Sequence, residues 1–270
     1  MWSTIISILV IYIIACLILY WVQEKFIFFP TTLPKDYSFK QFRNFEEVYF
    51  KNGNNSQVHA LHFKVPKPKG LVLYFHGNAR ALDTWAYAAN DFIKRGYEVL
   101  MQDYRSYGKS EGTLSEKALH KDAMMIYNEL NKKHHATDII IYGRSLGTGI
   151  ACQLATQVKA RMVILETPYL SLVEMAKKKL FLFPVSLLLR YRMRNDLNIK
   201  KVQCPVHIFH GTEDELIPYE HAQRLEKLHG SKKILTTINE GTHNNLTDFD
   251  LFQDKLDDLL NEIVLNDQQK

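Results

Sequence analysis

Ile139-Ile140-Ile141-Tyr142-Gly143-Arg144-Ser145-Leu146-Gly147-Thr148-Gly149 is the stretch whose reading decides the fold. Its first four residues are apolar or aromatic and mostly β-branched, so they predict a buried strand. A sharp Gly-x-Ser-x-Gly turn follows, and Ile150 to Ala155 predicts a helix. A serine at the apex of such a strand–turn–helix sits in a strained backbone with its hydroxyl exposed. Gly143 and Gly147 are required because a side chain there would collide where strand and helix close on each other. The helix N-terminus behind Ser145 offers unpaired N–H groups to a developing negative charge.

The pattern occurs a second time, as Gly108-Lys109-Ser110-Glu111-Gly112. There the preceding strand ends near Asp103 and the next helix begins near Thr113 or Leu114. No helix N-terminus lies under Ser110, which therefore reads as a turn serine.

On either side, β and α signals alternate. Glu46 to Lys51 and Gln57 to Val65 alternate apolar and polar residues around Asn52-Gly53-Asn54-Asn55, a hairpin signal. Leu71 to Phe75, Tyr97 to Gln102, Arg161 to Leu165, Val206 to Phe209 and Ile234 to Ile238 read as further strands. Helices are expected over Leu82 to Arg95, over Leu114 to Lys133 with Ser115 as a cap, and over Leu246 to Val264. The alternation predicts a mainly parallel sheet covered on both faces, with its ligand beyond the carboxyl ends of the strands. Between Glu166 and Lys201 the alternation stops. Leu180 to Leu189 is apolar except for Ser186 and is too short to span a bilayer, with basic clusters on both sides. This insertion is expected to cap the site, either as a packed lid with solvated charges or as a surface for anionic membranes and acyl chains.

Ile5 to Val22 is apolar apart from Ser7, and eighteen helical residues reach about 27 Å, close to a bilayer core. Aromatic residues stand near both ends, and no Lys or Arg precedes the run as it would in a signal peptide. Residues 1–24 are thus expected to be a single-pass membrane anchor. Residues 25–45, with Pro30 to Asp36 at their centre, read as a linker. Residues 46–270 form the globular domain, with the cap over about 167–201. Lys25, Lys35, Lys40 and Arg43 follow the span and predict a cytoplasmic domain.

The net charge of +5 is concentrated in Lys177 to Lys201, which carries +7, so the remainder is about −2 and offers no general surface for nucleic acid. Cys16, Cys152 and Cys204 form no disulfide framework and fit a reducing compartment. Metal-ligand spacings such as His-x-x-x-His or Cys-x-x-Cys are missing, as are phosphate-cradling glycine loops, so neither a metal nor a cofactor is expected.

A serine hydroxyl needs a base, and the base needs an orienting acid. His243, in Gly241-Thr242-His243-Asn244, follows the last strand. Asp214, in Gly211-Thr212-Glu213-Asp214-Glu215, follows the strand before it, with Glu213 and Glu215 as neighbouring alternatives for the acid. The order Ser145, Asp214, His243 is serine, acid, histidine. Two amides are expected to bind an oxyanion: Leu146 N–H, next after the serine, and Asn78 N–H, in the loop after Leu71 to Phe75. His76 reads as a structural turn residue, and Asp103 to Gly108 as a structural loop.

With these pieces in place, the chain resembles the serine-hydrolase branch of the α/β-hydrolase fold, in particular the small membrane-anchored hydrolases of the abhydrolase-domain type. The resemblance rests on Phe75-His76-Gly77-Asn78-Ala79, Asp103-Tyr104-Arg105-Ser106-Tyr107-Gly108-Lys109-Ser110, Gly143-Arg144-Ser145-Leu146-Gly147, Glu166-Thr167-Pro168, His210-Gly211-Thr212-Glu213-Asp214 and Gly241-Thr242-His243. It covers roughly Val48 to the C-terminus. Ser106 stands where relatives often carry Gly, and Thr242 where many carry Ala or Gly; neither removes a catalytic group. The resemblance implies an eight-stranded sheet and cofactor-free hydrolysis of esters, thioesters or amides. Together with the anchor and cap it leads to an expected serine hydrolase acting through an acyl-enzyme on lipid or acylated substrates. The competing expectations are a serine peptidase or acyltransferase on the same fold and a non-catalytic membrane-bound interaction protein.

Overall fold

The computed structural model describes residues 1–51, 56–231 and 234–267, with side chains to residue 261. Eight strands make one sheet: β1 (Phe45–Lys51), β2 (Gln57–Phe63), β3 (Leu71–Phe75), β4 (Glu98–Gln102), β5 (Ile139–Arg144), β6 (Met162–Glu166), β7 (Val206–Gly211) and β8 (Leu235–Ile238). Their order is β8-β7-β6-β5-β3-β4-β2-β1. Pairings β1–β2 and β2–β4 are antiparallel, and the other five are parallel. The turn expected at 52–55 lies outside the described residues.

Strand alternation sorts the core into two layers. Leu71, Leu73, Phe75, Ile139 and Ile141 bury against one set of helices; Val72, Tyr74, Ile140 and Tyr142 bury against the other. The central strands are therefore apolar at every position, as strands covered on both faces must be. One layer holds α2 (Glu116–Leu130) and α3 (Leu146–Ala155). The other holds the C-terminal helix Asp250–Asp267 through Phe252, Leu256 and Leu260. Ser115 caps α2, its hydroxyl accepting from Ala118 N at 3.1 Å.

Three elements differ from their expected form. The helix over Leu82 to Arg95 is continuous in course but tightens to 3₁₀ geometry through Ala86–Ala89. Residues three apart eclipse in a 3₁₀ turn, so Ala86 and Ala89 both face the sheet and both are buried. The last helix breaks at Phe249, whose backbone is extended, leaving a 3₁₀ turn at Leu246–Asp248 before it. A further helix, Glu220–His229, joins β7 to β8. Its signals are weak singly: Glu220 in the first turn, Lys227 and His229 in the last, and Gly230 closing it at φ +84°.

The N-terminal helix α1, Trp2–Val22, is long and apolar enough to cross a membrane, and none of its residues is buried. The segment expected as a linker, 25–45, is packed onto the domain. Phe28 and Phe39 are buried, and Phe29–Pro30 pairs with Ala79–Arg80 as a short parallel ribbon. Its aromatic residues explain why: Phe39, Phe42 and Phe45 form a ring cluster with Phe63 that water would penalise if exposed.

His76 and His207 are among the histidines buried as neutral groups. Burial pushes His76 down to about 4, and burial, then the charge of Lys255, pushes His207 down to about 4. The unfolded chain binds protons at these positions below about pH 6.5, whereas the folded one does not until near pH 4. Their stabilising contribution is thus whole above pH 6.5 and drains as pH falls, by ~1.4 kcal/mol per pH unit for each histidine. Denaturant unfolding in detergent near pH 7.5 and near pH 5 is expected to show that loss, and His207→Gln is expected to flatten the slope.

Candidate active site

Ser145 stands between β5 and α3 with φ 52° and ψ −117°. Such a backbone costs roughly 1–3 kcal/mol and persists only when neighbours hold it. Here Ser145 N donates to Glu166 O at 2.9 Å, and Thr148 N donates to Ser145 O at 3.0 Å. The glycines are forced by space. A Cβ on Gly143 would meet Gly147 O at 2.6 Å, and one on Gly147 would meet Phe75 O at 2.0 Å. The turn can therefore close against β3 only if both positions lack side chains.

The three expected side chains, far apart in sequence, converge beyond the carboxyl ends of the strands. Ser145 Oγ lies 3.0 Å from His243 Nε2, and His243 Nδ1 lies 2.8 Å from Asp214 Oδ2. The other oxygen, Asp214 Oδ1, accepts from Leu216 N at 2.9 Å and Ile217 N at 2.7 Å. Burial would raise the Asp214 carboxyl, but the hydrogen bond and charge of His243, with Ile217 N–H, hold it below the usual carboxylate range. A fixed carboxylate behind the ring sets the tautomer that leaves Nε2 free to take the serine proton. Glu213 and Glu215 flank Asp214 but are exposed.

Two donors face the same space. Leu146 is the first residue of α3, so its N–H has no partner within the helix. Asn78 sits on a loop held from both sides. Its side chain donates to Ile27 O at 3.0 Å, and its carbonyl accepts from Phe29 N at 3.1 Å and from the Tyr107 hydroxyl. Neither Leu146 N nor Asn78 N donates to a protein acceptor among the described residues. Gly77 lets this loop approach, since a Cβ there would lie 2.7 Å from the Trp85 ring.

His76, read as structural, is buried, with Nδ1 2.7 Å from Gly77 O. Ser110 is also structural: its hydroxyl donates to Asp103 O and accepts from His59 N, both at 2.8 Å. In the loop after β4, Arg105 pairs with Asp122 at 2.7 Å.

Two parts of the site escaped the sequence. One is Arg144, whose guanidinium lies 3.1 Å from the Glu166 carboxylate and reaches His243 O at 3.3 Å, tying the histidine loop to the serine turn. Its position beside Ser145 was the available signal. The other is the wall of the cavity. Above Ser145, Leu146 and Asn78 lies a cavity of about 430 Å³. One wall is the segment 180–189, including Leu180, Val185 and Leu188; the other is the end of α1 and the turn after it, Leu19, Phe26 and Ile27. Gln23, where the apolar run first meets polar residues, joins them. It is buried, donating to Tyr20 O at 2.7 Å and Leu188 O at 3.1 Å and accepting from Arg190 N at 2.7 Å.

A family profile described as serine aminopeptidase, S33, matches residues 66–195. Lysophosphatidylserine lipase ABHD12 of Danio rerio is 31% identical over 189 residues, 61% of this chain and 48% of that protein. The Macaca fascicularis lipase of the same name is 28% identical over 202 residues, 66% of this chain and 50% of that one. The chain thus spans about half the length of the curated relatives it matches. Among solved structures, a Pyrococcus furiosus esterase superposes with a TM-score of 0.68 at 15% identity, covering 87% of this chain and 98% of the esterase. Est1E of Butyrivibrio proteoclasticus, solved with ferulic acid bound, has a TM-score of 0.65 at 20% identity, covering 83% and 100%. With this sheet order, the strained serine turn after the fifth strand and these superpositions, the chain has the α/β-hydrolase fold.

Proposed function

We propose that the protein is a membrane-anchored serine hydrolase that cleaves the carboxylic ester of single-chain lipids. The observation that carries this reading is the Ser145–His243–Asp214 relay at the floor of an apolar cavity. In the first step Ser145 Oγ attacks the ester carbonyl while His243 Nε2 takes its proton, and Asp214 stabilises the imidazolium. The carbonyl oxygen becomes an oxyanion held by the N–H groups of Leu146 and Asn78. His243 then gives the proton to the departing alcohol. Water, activated by the same histidine, releases the fatty acid and restores the serine.

The cavity, about 430 Å³, lies at the lower end of small-molecule sites and suits one acyl chain. Lys179 lines it, which favours an anionic headgroup. Single-chain lipids with an anionic head are also what the similar lipases are named for. The basic residues after α1 favour a single span with the domain on the cytoplasmic side.

The test uses the full chain in detergent with esters of graded acyl length and a matching peptide panel. Expected is kcat/KM rising with chain length to long monoacyl esters, by about tenfold for each ~1.4 kcal/mol of burial gained. Cleavage confined to peptides would instead support an aminopeptidase.

A further inference from the structure

Helix α1 and the loop 180–189 meet well away from the C-terminal end of α1. Tyr12 stands ten residues before Val22, about 15 Å along the helix and half the thickness of a bilayer core. Its hydroxyl donates to Leu182 O at 2.9 Å, and its ring stacks on Phe183 with centroids 5.9 Å apart. The cap loop 180–189 therefore runs alongside the anchor to its middle. In a bilayer core no water would satisfy a carbonyl at that depth, whereas here the Tyr12 hydroxyl and Leu182 carbonyl satisfy each other.

The loop's composition fits the same position. Phe181, Leu182 and Leu187 are 79%, 69% and 80% exposed, on a stretch of ten residues without a charge. All the charges lie at its base: Lys177, Lys178 and Lys179 before it, Arg190 and Arg192 after it. An apolar tip on a cationic collar is the distribution of a segment inserted through anionic headgroups. At the collar, Glu24 accepts from Arg190 at 2.9 Å and from the Tyr191 hydroxyl at 2.8 Å. With Gln23, it clamps the end of the anchor to the end of the loop.

We propose that the loop 180–189 is sunk in the leaflet that holds the C-terminal half of the anchor, and that the cavity above Ser145 takes its acyl chain sideways from the hydrocarbon between them. The anchor is then half of the acyl-binding wall as well as a tether. The route of the substrate rests on the ester-hydrolase reading; the depth of the loop does not.

Two measurements on the full chain in phosphatidylcholine–phosphatidylserine vesicles decide it. In the first, Leu182→Cys carries a bimane in a Cys16→Ser, Cys204→Ser background, Cys152 being fully buried. Nitroxides deep on the lipid chain are expected to quench the label more than nitroxides on the headgroup or aqueous iodide. Stronger quenching by headgroup nitroxide or iodide overturns the proposal. In the second, Leu182→Glu and Leu187→Glu are placed together on the loop, outside the cavity lining. Hydrolysis of a long monoacyl ester in the vesicles is expected to fall about tenfold or more, since two carboxylates must leave the hydrocarbon, while a soluble butyrate ester is cleaved at the wild-type rate. Equal loss on both esters, or no loss on either, overturns the lateral route. If the wild type cleaves neither ester, the proposed hydrolase activity fails instead, and quenching still decides the loop's depth.

Discussion

Ser145→Ala is expected to abolish fluorophosphonate labelling and to lower ester hydrolysis by about 10⁴-fold or more, while Ser110→Ala labels like the wild type. Both serines lie in Gly-x-Ser-x-Gly, and both are largely buried. Their partners differ. Ser145 Oγ faces His243 Nε2 at 3.0 Å, so a general base is in place to make it nucleophilic. Ser110 Oγ is occupied by Asp103 O and His59 N, and among the described residues no imidazole or carboxylate hydrogen-bonds to it. Removing that hydroxyl leaves two buried groups without a partner and costs roughly 1–3 kcal/mol of stability, but no chemistry. Alanine at 145 keeps the Cβ and the strained turn, so the variant should unfold at the wild-type temperature. Labelling that survives Ser145→Ala, or disappears with Ser110→Ala, would sink the assignment.

Asp214→Asn should lower kcat by about 10⁴-fold with little change in KM. The carboxylate takes three hydrogen bonds: two amides on Oδ1 and the imidazole on Oδ2. An asparagine oxygen placed on the amides of Leu216 and Ile217 turns its NH₂ toward His243 Nδ1. The ring must then carry its proton on Nε2, facing the serine, where it cannot accept another. Glu213→Gln and Glu215→Gln alter exposed side chains and should leave kcat within about twofold. Steady-state kinetics on the three variants separates the candidates that adjacency in sequence left open.

How much of this was legible depends on how local its cause is. The Ser145 turn could be read because its steric demands fall within five residues: two glycines, a strand before and a helix after. The strands of the parallel sheet could be read because burial on both faces leaves runs such as Ile139-Ile140-Ile141 without polar residues. Helix Glu220–His229 was harder, since only Ala222 and Leu225 of its ten residues are buried and its apolar stripe is short. The tightening at Ala86–Ala89 and the break at Phe249 depend on what each turn packs against, which periodicity does not record.

By itself the sequence determined the alternating α/β layers, the order serine, acid, histidine, and an apolar helix ahead of the domain, because each follows from the chemistry of neighbouring residues. Only the tertiary structure decided which carboxylate of 213–215 faces the imidazole, that 25–45 is laid down on the domain, and that α1 meets the loop 180–189. Those contacts join segments as far apart as Tyr12 and Leu182. Apolar surface carries no address, so an apolar helix and an apolar loop look alike in sequence whether they touch or not. Their pairing is settled by shape and by the few polar groups, such as Gln23 and Tyr12, that find partners only when the two come together.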